Sequence, residues 1–413
     1  MLIPHRLGLF EHLTHKANLK HTRYGWLRLT PAYSVHLVAN LLDSISLKDA
    51  VVLDPFCGTG TTALVCAERG IKADTTDINP FLTWLASTKT QMYNEKELET
   101  FRFISDQIRK TLCNGHIHQL FWIPSIHQIE KWWDEMTLRT LSYAFFLINQ
   151  RKDDIPIPSI DLLKIVFCRV MIAHSSASFG HQSMSFKKKS DNNGLFEKTV
   201  EDIAVTWGKT CSDVYSAACS PIAIQPRVLL CDARQLVESL PRDYYTCVIT
   251  SPPYPNRMSY IRELRPYMYW LGYLQDGREA GELDWKAIGG TWGCATSKVS
   301  KWEPELDRPL PYTGFAEIIE NIAQKSPILA RYVHKYFYDM VEHIEQVFAV
   351  LKSGGTINYI IGNSKFYDVL LPVEAIFASL FTKKGFENMS IKTIRKRTSK
   401  KELYEYIVSA RKP

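Results

Sequence analysis

A glycine-rich run near the amino terminus has the composition of a ligand-binding turn. It reads Asp54-Pro55-Phe56-Cys57-Gly58-Thr59-Gly60-Thr61-Thr62 and lies where a predicted strand ends and a predicted helix begins. Glycines allow a sharp turn and a close approach of the backbone to a ligand, and the first N–H groups of a helix attract an anionic moiety. The run is neither a Walker phosphate loop nor the full Gly-x-Gly-x-x-Gly fingerprint. About twenty residues on, Asp77 closes the next predicted strand, where a carboxylate can accept both hydroxyls of a ribose. These residues predict a nucleotide-like ligand, and the alternative is a tight turn with an N-capping aspartate.

A second run, Thr250-Ser251-Pro252-Pro253-Tyr254, follows another apolar strand. From ordinary residue frequencies, a Ser-Pro-Pro-Tyr tetrapeptide arises by chance in about one of several hundred chains of this length. Its position directly after a strand makes a chance occurrence rarer still. The run therefore predicts a second functional segment, and the alternative is a rigid proline turn packed under a tyrosine.

The elements that must position both runs are short, apolar and β-branched, as in strands of a parallel sheet that is buried on both faces. Such strands are predicted at residues 50–53, 71–76, 227–231, 246–250 and 356–361, and the alternating residues 389–397 and 403–409 predict an antiparallel hairpin. Helices are predicted at 61–69, before Gly70, and from Pro80, after the N-capping Asn79. The predicted fold class is α/β, with a seven-stranded, mostly parallel sheet.

Two insertions interrupt these elements. Residues 91–225 predict a largely helical insertion, because Asn94 and Glu97 fit a capping box and further helices are predicted at 129–149, 161–174 and 196–218. Residues 275–325 lack clear periodicity and predict a loop-rich second insertion. A helix at 328–350 leads into the last parallel strand. The remaining segments, 1–90, 226–274 and 326–413, form the predicted catalytic domain.

Composition excludes several classes of protein. The 413 residues are 46% hydrophobic and 23% charged, which is enough apolar content for a large core. The best candidate for a membrane span, residues 162–173, contains Lys164 and Arg169, so no span is expected. Nine cysteines without a Cys-x-x-Cys pair and no recognisable secretory signal predict reduced thiols in the cytoplasm. The formal net charge of +7 suits a polyanionic partner and is also ordinary for solubility.

Together, the two runs resemble motifs I and IV of DNA methyltransferases that methylate exocyclic amino groups, most closely the cytosine-N4-specific ones. Residues 23–31, which begin Arg23-Tyr24-Gly25-Trp26, resemble motif X, and Asp232 sits like the acid of motif III. The resemblance covers about half of the chain and leaves the helical insertion unmatched. It implies a class I, Rossmann-like methyltransferase fold with S-adenosyl-L-methionine as donor, S-adenosyl-L-homocysteine as product, and no metal.

The resemblance also implies a task for each residue of the two runs. Ser251 and the carbonyl of Pro252 would accept N–H bonds from the target amine and aim its lone pair at the methyl group. Pro253 would stiffen the turn, and Tyr254 would stack on the flipped base. Transfer would be direct and in line, without a strong general base. The implied cofactor-binding residues are Tyr24, Trp26, Asp54, Phe56, Gly58, Gly60, Thr61, Asp77 and Asp232.

Family pattern bears on the target base. Serine at the first position of motif IV is usual in cytosine-N4 enzymes and Asp or Asn in adenine-N6 enzymes, so Ser251 favours N4-cytosine in double-stranded DNA. Cytosine-C5 chemistry needs a nucleophilic cysteine in a Pro-Cys pair, which this sequence lacks. Adenine-N6 methylation, RNA guanine-N2 methylation and a non-catalytic DNA-binding subunit remain as alternatives. A bacterial or archaeal host and a partner restriction endonuclease are implied by family habit alone.

Further residues are candidates for DNA contact, and the motif order leaves open which insertion reads the DNA. Arg257, Tyr260 and Arg262 follow motif IV, with a helix that packs its aromatics on the core as the alternative. Lys187, Lys188 and Lys396 are candidates for phosphate contact, with a solvated loop or a lysine-protected edge strand as the alternatives. Cys113, His116, His118 and His127 match no standard zinc spacing, so no metal site is expected.

Overall fold

The computed structural model describes residues 18, 22–27, 29, 32–45, 49–114, 119–178, 185–186, 199–256, 259–291, 294–304, 309–397 and 402–413. Three candidates for DNA contact, Arg257, Lys187 and Lys188, lie outside the described residues. Over the described ranges, no helix combines the length and apolar character needed to cross a membrane.

Strands and helices both occur along the described chain. In chain order, the strands are β1 (Val51–Asp54), β2 (Lys72–Asp77), β3 (Ala177–Ser178), β4 (Ser185–Phe186), β5 (Arg227–Leu230), β6 (Tyr245–Thr250), β7 (Leu351–Gly362), β8 (Ser364–Phe366), β9 (Val369–Leu371), β10 (Glu387–Lys396) and β11 (Tyr404–Arg411). The helices are α1 (Val35–Asp43), α2 (Thr61–Arg69), α3 (Pro80–Thr90), α4 (Glu95–Asn114), α5 (Glu135–Asn149), α6 (Ile157–Ala173), α7 (Val200–Ala218), α8 (Tyr260–Trp270), α9 (Gly277–Lys286), α10 (Cys294–Lys301), α11 (Phe315–Ala323), α12 (Pro327–Val350) and α13 (Val373–Lys384).

A seven-stranded sheet forms the centre of the molecule. Its strand order is β10-β11-β7-β6-β1-β2-β5, and β11 runs antiparallel to both of its neighbours whereas the described pairs among the other strands are parallel. This confirms the predicted α/β class, with a Rossmann-like sheet and a carboxyl-terminal hairpin. The strands β1 and β6 are parallel neighbours. The glycine-rich run follows β1 and the Ser-Pro-Pro-Tyr run follows β6, so both runs lie at the same edge of the sheet.

Local signals in the sequence fix several helix ends. Gly60 and Gly70 flank α2 in the left-handed conformation, with φ of 76° and 70°. The Asn79 side chain accepts from the N–H of Phe81 at 3.0 Å and so caps α3. The capping box before α4 also forms, since the Asn94 N–H donates to Glu97 and the Glu97 N–H donates to Asn94, both at 2.9 Å. These predicted starts are confirmed.

The helical insertion shares a hydrophobic core with the part of the chain that forms the seven-stranded sheet and its helices. Buried side chains of α4, α5, α6 and α7 form one cluster with those of α3 and α8. Trp270 of α8 lies at ring-centroid distances of 5.3 Å from Phe167 and 5.8 Å from Trp133, both of which belong to the insertion. The insertion is therefore packed as an additional helical layer on α3 and α8.

The second insertion differs from the prediction of a loop-rich segment. It contains α9, α10 and α11 within residues 277–323. The Asp276 side chain caps α9 by accepting from the N–H groups of Arg278 at 2.8 Å and Glu279 at 2.9 Å. Each of these helices is ten residues or fewer, which is too short for the apolar repeat to stand out among the surrounding Gly and Pro residues.

Arg23 joins the inserted helix α7 to α3 through main-chain carbonyls. Its guanidinium donates to the carbonyls of Lys89 at 3.0 Å and Gln91 at 2.6 Å, at the end of α3. It also donates to three carbonyls at the end of α7, those of Ala217, Ala218 and Ser220. Carbonyls at a helix carboxyl terminus lack partners within the helix and carry partial negative charge, so a buried cation stabilises both ends at once.

We expect Arg23→Met to lower the free energy of unfolding by about 3 kcal/mol or more, because a side chain of similar length leaves several buried carbonyls without a donor. Urea denaturation followed by circular dichroism measures the loss. The matched control is Arg69→Ala, since Arg69 pairs with the exposed Asp43 and its loss should cost less than about 1 kcal/mol. Equal stability losses in the two variants would contradict the bridging role of Arg23.

Candidate active site

A cavity of about 350 Å³ opens at the carboxyl ends of β1, β2, β5 and β6. It is lined by residues from both runs and from distant parts of the chain: Ala32, Tyr33, Pro55, Phe56, Gly58, Asp77, Ile78, Asn79, Leu82, Asp232, Ala233, Ser251, Pro252, Pro253, Tyr254, Asn256, Tyr260, Ile261, Lys286, Ala287, Ile288, Arg395, Arg397 and Glu405. One end is formed by residues after β1, β2 and β5, and the other by residues after β6 together with the carboxyl-terminal hairpin. Residues at the end of α9 also line the cavity.

The glycine-rich turn is held against Asp77. Gly58, at φ of 52°, donates its N–H to Asp77 Oδ2 at 3.0 Å, while Asn79 donates its N–H to Oδ1 at 2.9 Å. Burial raises the pKa of Asp77 to about 6, although these backbone bonds oppose the shift. Behind the turn, the buried Lys89 ammonium donates to the Thr59 carbonyl at 2.9 Å. The turn therefore presents backbone and a carboxylate to one end of the cavity.

Asp54 joins the ends of β1 and β6. Its carboxylate accepts from the Thr250 hydroxyl at 2.6 Å and from the Tyr33 hydroxyl at 3.1 Å. Burial raises the pKa of Asp54 to about 7, and the hydrogen bonds from Thr250 and from the Phe56 N–H lower it against that effect. Asp54 thus supports the cavity from beneath and does not line it.

Asp232 is held by Arg234. The guanidinium donates to Oδ1 at 3.0 Å and to Oδ2 at 2.6 Å, and it also pairs with Asp339 of α12 at 3.0 Å. Burial alone would raise the pKa of Asp232, but the bonds from Arg234 outweigh it and hold the pKa below its usual value. Asp232 stays charged at the edge of the cavity, with a fixed orientation.

A buried histidine supports the same end of the cavity. His343 Nδ1 lies 3.0 Å from the carbonyl of Ala233, and Nε2 lies 2.7 Å from the Tyr359 hydroxyl. Burial lowers the pKa of His343 to about 4, so the ring is neutral at physiological pH. Its edge meets the ring of Phe56 at a centroid distance of 4.7 Å, which fixes Phe56 at the cavity.

The Ser-Pro-Pro-Tyr run lines the other end of the cavity. The Ser251 hydroxyl donates to the carbonyl of Ile360 in β7 at 3.0 Å, which commits its proton and leaves its oxygen lone pairs as acceptors. Tyr336 of α12 donates to the carbonyl of Pro253 at 2.7 Å and holds the proline turn. The Tyr254 hydroxyl donates to Glu405 of β11 at 3.0 Å. Each residue is thus fixed by a different element.

The structure brings most of the predicted site residues to one cavity and separates others from it. Phe56, Gly58, Asp77, Asp232, Tyr260 and the residues Ser251 to Tyr254 line it. Gly60 and Thr61 lie beneath the turn at the start of α2, where a Cβ at Gly60 would come within 3.0 Å of Ala86. Within the glycine-rich run, Phe56 and Gly58 therefore face the cavity, whereas Gly60 and Thr61 determine the shape of the turn.

Tyr24 and Trp26, expected at the cofactor, lie elsewhere. Trp26 is 1% exposed within the core shared with the insertion. The Tyr24 hydroxyl donates to Glu68 of α2 at 2.6 Å. The geometry does not support cofactor contact by either side chain, because both pack against helices behind the turn. Tyr33, a few residues further on, lines the cavity instead.

Three cationic residues of the carboxyl-terminal hairpin divide between its two faces. Arg395 and Arg397 line the cavity, whereas Lys396 lies over the ring of Tyr404 at 5.9 Å. Side chains alternate between faces along a strand, so Lys396 cannot share the face of its two neighbours. Arg262 lies in the first turn of α8, where its N–H donates to the capping Ser259. Tyr33, Lys286 and Glu405 also line the cavity, and no sequence motif marks them.

Within the described part of the chain, no group of three or more His, Cys, Asp or Glu side chains is arranged to hold a metal ion. Of the four residues considered above for a zinc site, His116 and His118 lie outside the described part.

Comparisons with known proteins relate this chain to methyltransferases. A family model for DNA methylases, N6_N4_Mtase, matches residues 12–116. The Type II methyltransferase M.AvaI of Nostoc sp. is 21% identical, with 92% of this chain and 83% of the relative covered. M.BsoBI of Geobacillus stearothermophilus is 22% identical, with 93% and 82% covered. M.MjaII of Methanocaldococcus jannaschii is 31% identical over a shorter stretch, 25% of this chain and 19% of the relative. The rRNA methyltransferase aviRa from Streptomyces viridochromogenes aligns over 93% of this chain and 87% of its own, with 11% identity and a TM-score of 0.27.

The seven-stranded sheet and its strand order are those of a class I, Rossmann-like methyltransferase fold. The matched family model and the relatives support the family of N6/N4 amino-methyltransferases, and they do not separate N4 enzymes from N6 enzymes.

The family implies S-adenosylmethionine as the methyl donor, and the cavity fits such a molecule. Gly58 and Asp77 offer a close backbone approach and a carboxylate, and the apolar side chains of Phe56, Ile78 and Leu82 offer a surface for a purine ring. Ser251 and Tyr254 lie beyond this end, in the same cavity.

We expect Thr250→Val to lower the free energy of unfolding by about 2 kcal/mol, because a buried carboxylate loses a donor. The loss should be larger above pH 7 than below it. The raised pKa of Asp54, about 7, means that the ionised carboxylate, which binds the hydroxyl more strongly, is present only at the higher pH. Urea denaturation on either side of that pH measures the difference.

The control for this prediction is Thr246→Val, at the other end of β6. The Thr246 hydroxyl bonds only to the main chain of Val51 among the described residues. Its loss should therefore cost the same at both pH values. A pH-independent loss in Thr250→Val as well would contradict the role given to Asp54.

Proposed function

We propose that the protein is a DNA methyltransferase that transfers the methyl group of S-adenosylmethionine to the exocyclic N4 amine of cytosine. The observation that carries this proposal is the shared cavity, in which Ser251 and Tyr254 lie at one end and Gly58, Asp77 and Asp232 at the other. When bound, S-adenosylmethionine supplies an electrophilic methyl group on a sulfonium. The chain's own residues then have to bind, orient and enclose the two reactants.

The cofactor end is proposed to hold the nucleoside part of the donor. Asp77 accepts the ribose hydroxyls, and Gly58 allows the backbone to approach. Asp232, fixed by Arg234, accepts from the adenine amine. Phe56 packs on the ring, and the neutral His343 behind it keeps a positive charge away from the sulfonium.

The target end is proposed to hold a flipped base. Ser251 accepts an N–H bond from the amine because its own proton is already donated to Ile360. The carbonyl of Pro252 accepts the second N–H, and Tyr254 stacks on the base. These acceptors would aim the nitrogen lone pair at the methyl group, so that the C–N bond would form as the S–C bond of the sulfonium breaks and its electron pair returns to the sulfur of S-adenosylhomocysteine. The amine proton would then leave to water. No catalytic base is assigned.

N4-cytosine is proposed because Ser251 stands at the first position of motif IV. Adenine-N6 methylation uses the same geometry and is the competing outcome of the test below. M.AvaI and M.BsoBI are Type II methyltransferases, which supports a place in a restriction-modification context, with a cognate endonuclease as partner.

DNA is proposed to approach the mouth of the target end. Arg395 and Arg397 of the carboxyl-terminal hairpin line the cavity and can meet phosphates or base edges. Lys286 also lines the cavity, next to Arg234, whose guanidinium donates to the Lys286 carbonyl at 2.6 Å. Target recognition is proposed for residues 91–225, since α8 follows Tyr254 closely in the chain and packs directly on that insertion. Residues 275–325 contribute Lys286 to the lining of the cavity.

Long-read modification sequencing tests the proposal. DNA from cells that lack other methyltransferases and express this chain should carry N4-methylcytosine in one sequence context. Ser251→Ala and Tyr254→Ala should reduce the modification rate by about a hundredfold, as the loss of an orienting hydrogen bond or stack does elsewhere, while calorimetry shows intact binding of S-adenosylhomocysteine. Detection of N6-methyladenine in place of N4-methylcytosine would show that the target base is adenine. Unmodified DNA together with methylated tRNA would overturn the proposal.

Asp77→Asn should weaken S-adenosylhomocysteine binding by about tenfold or more, because a charged acceptor is lost. In the unaltered protein, affinity should fall as pH drops through about 6, where Asp77 becomes protonated, and it should be constant well above that value. Titration calorimetry at several pH values measures both effects. The Asn variant keeps Asp54, so any pH dependence that remains in it reports Asp54 instead. Full affinity in Asp77→Asn would remove Asp77 from the site.

A further inference from the structure

The target end of the cavity is completed by a row of residues that no motif marks. Gly362 of β7 lies opposite Glu405 of β11, and Glu405 lies opposite Arg395 of β10. The row thus crosses three neighbouring strands at one level of the sheet. Tyr254, from the Ser-Pro-Pro-Tyr run, lies over this row.

Gly362 provides the space in which the tyrosine ring lies. A Cβ at position 362 would be 2.9 Å from Tyr254 Cε2 and 2.6 Å from Arg397 Nη1, closer than real Cβ contacts. The φ angle of Gly362 is not in the left-handed region, so the missing side chain matters here through space alone. The ring edge can therefore rest directly on the main chain of β7.

Glu405 holds the hydroxyl end of that ring. One carboxylate oxygen accepts from the Tyr254 hydroxyl at 3.0 Å, and the other accepts from Arg395 Nε at 2.7 Å. Arg397 lies over the ring at 5.2 Å from its centroid and donates to the carbonyl of Asn363 at 2.9 Å. Burial and the neighbouring Glu405 charge raise the pKa of Tyr254, so the phenol keeps the proton that it donates.

We propose that Glu405 is a positioning residue for methyl transfer and that it acts through Tyr254. A ring fixed only at its Cβ can rotate, whereas a ring fixed also at its hydroxyl keeps one plane. A base stacked on that plane is held with its amine at Ser251, and small displacements of a reacting atom lower the rate strongly. The inference rests on the function proposed for Ser251 and Tyr254. It adds that the carboxyl-terminal hairpin sets the angle of the base.

The test is transfer of tritiated methyl groups to unmethylated genomic DNA by the full-length protein, with kcat and KM determined for each variant. Glu405→Ala should lower kcat on the order of tenfold, as the loss of a bond to a charged acceptor does. Glu405→Gln keeps an acceptor oxygen and should recover most of that rate. Tyr254→Phe should lose as much as Glu405→Ala, and the double variant should be no slower than either.

Two controls separate positioning from folding. Binding of S-adenosylhomocysteine, measured by calorimetry, should be the same in all variants, because the cofactor end is far from the row. Glu387→Ala removes an exposed glutamate at the opposite end of the same hairpin and should leave kcat unchanged.

Additive losses in the double variant, an unchanged kcat in Glu405→Ala, or no recovery in Glu405→Gln would each overturn the inference. Absence of methyl transfer to DNA by the unaltered protein would instead overturn the proposed function on which the inference rests.

Discussion

The candidate site depends on the hydrogen bonds through which the Asp54 carboxylate joins the ends of β1 and β6. Parallel pairing brings these two strands side by side, but pairing alone does not fix the loops that follow them. The Thr250 hydroxyl reaches Asp54 from β6, and Tyr33 reaches it from the amino-terminal segment. The residues after Asp54 form the turn at the cofactor end, and the residue after Thr250 is Ser251. One buried carboxylate therefore sets the distance between the two ends of the cavity.

Elements far away in sequence then fix the direction of each functional side chain. Ser251 is oriented by the main chain of β7, the proline turn by Tyr336 of α12, and Tyr254 by β11. The short motif supplies chemical groups, and the second half of the chain supplies their geometry. This division explains how a proline-rich turn, which has few hydrogen-bonding groups of its own, keeps a fixed shape.

Much of the fold could be predicted from sequence because its signals are local. Buried strands are short apolar runs, and the caps at Asn79 and Asn94 need only a few neighbouring residues. The strand ends also placed Asp77 and Ser251 at one edge of the sheet. Glu405 and Tyr33 could not be found in this way, since their importance arises from contacts with residues far along the chain. In the hairpin, side chains alternate between the two faces of the strand. This alternation alone predicts that Arg395 and Arg397 share one face and that Lys396 lies on the other.

The segment that resembles motif X has a structural position that differs from the one expected of it. A resemblance in sequence did not predict what its side chains contact. In this chain Arg23 and Trp26 are buried between α3 and the inserted helix α7, and Arg23 bonds to the carbonyls that end both helices. A family without this insertion has no second helix end for such a residue to join. The alignments to M.AvaI and M.BsoBI leave uncovered less than a tenth of this chain, so they extend into the insertion. Because the insertion shares its core with α8, a change in its packing would reach the helix that follows Tyr254. Under the proposed function, recognition of DNA by the insertion and methyl transfer would then be coupled through this continuous hydrophobic core.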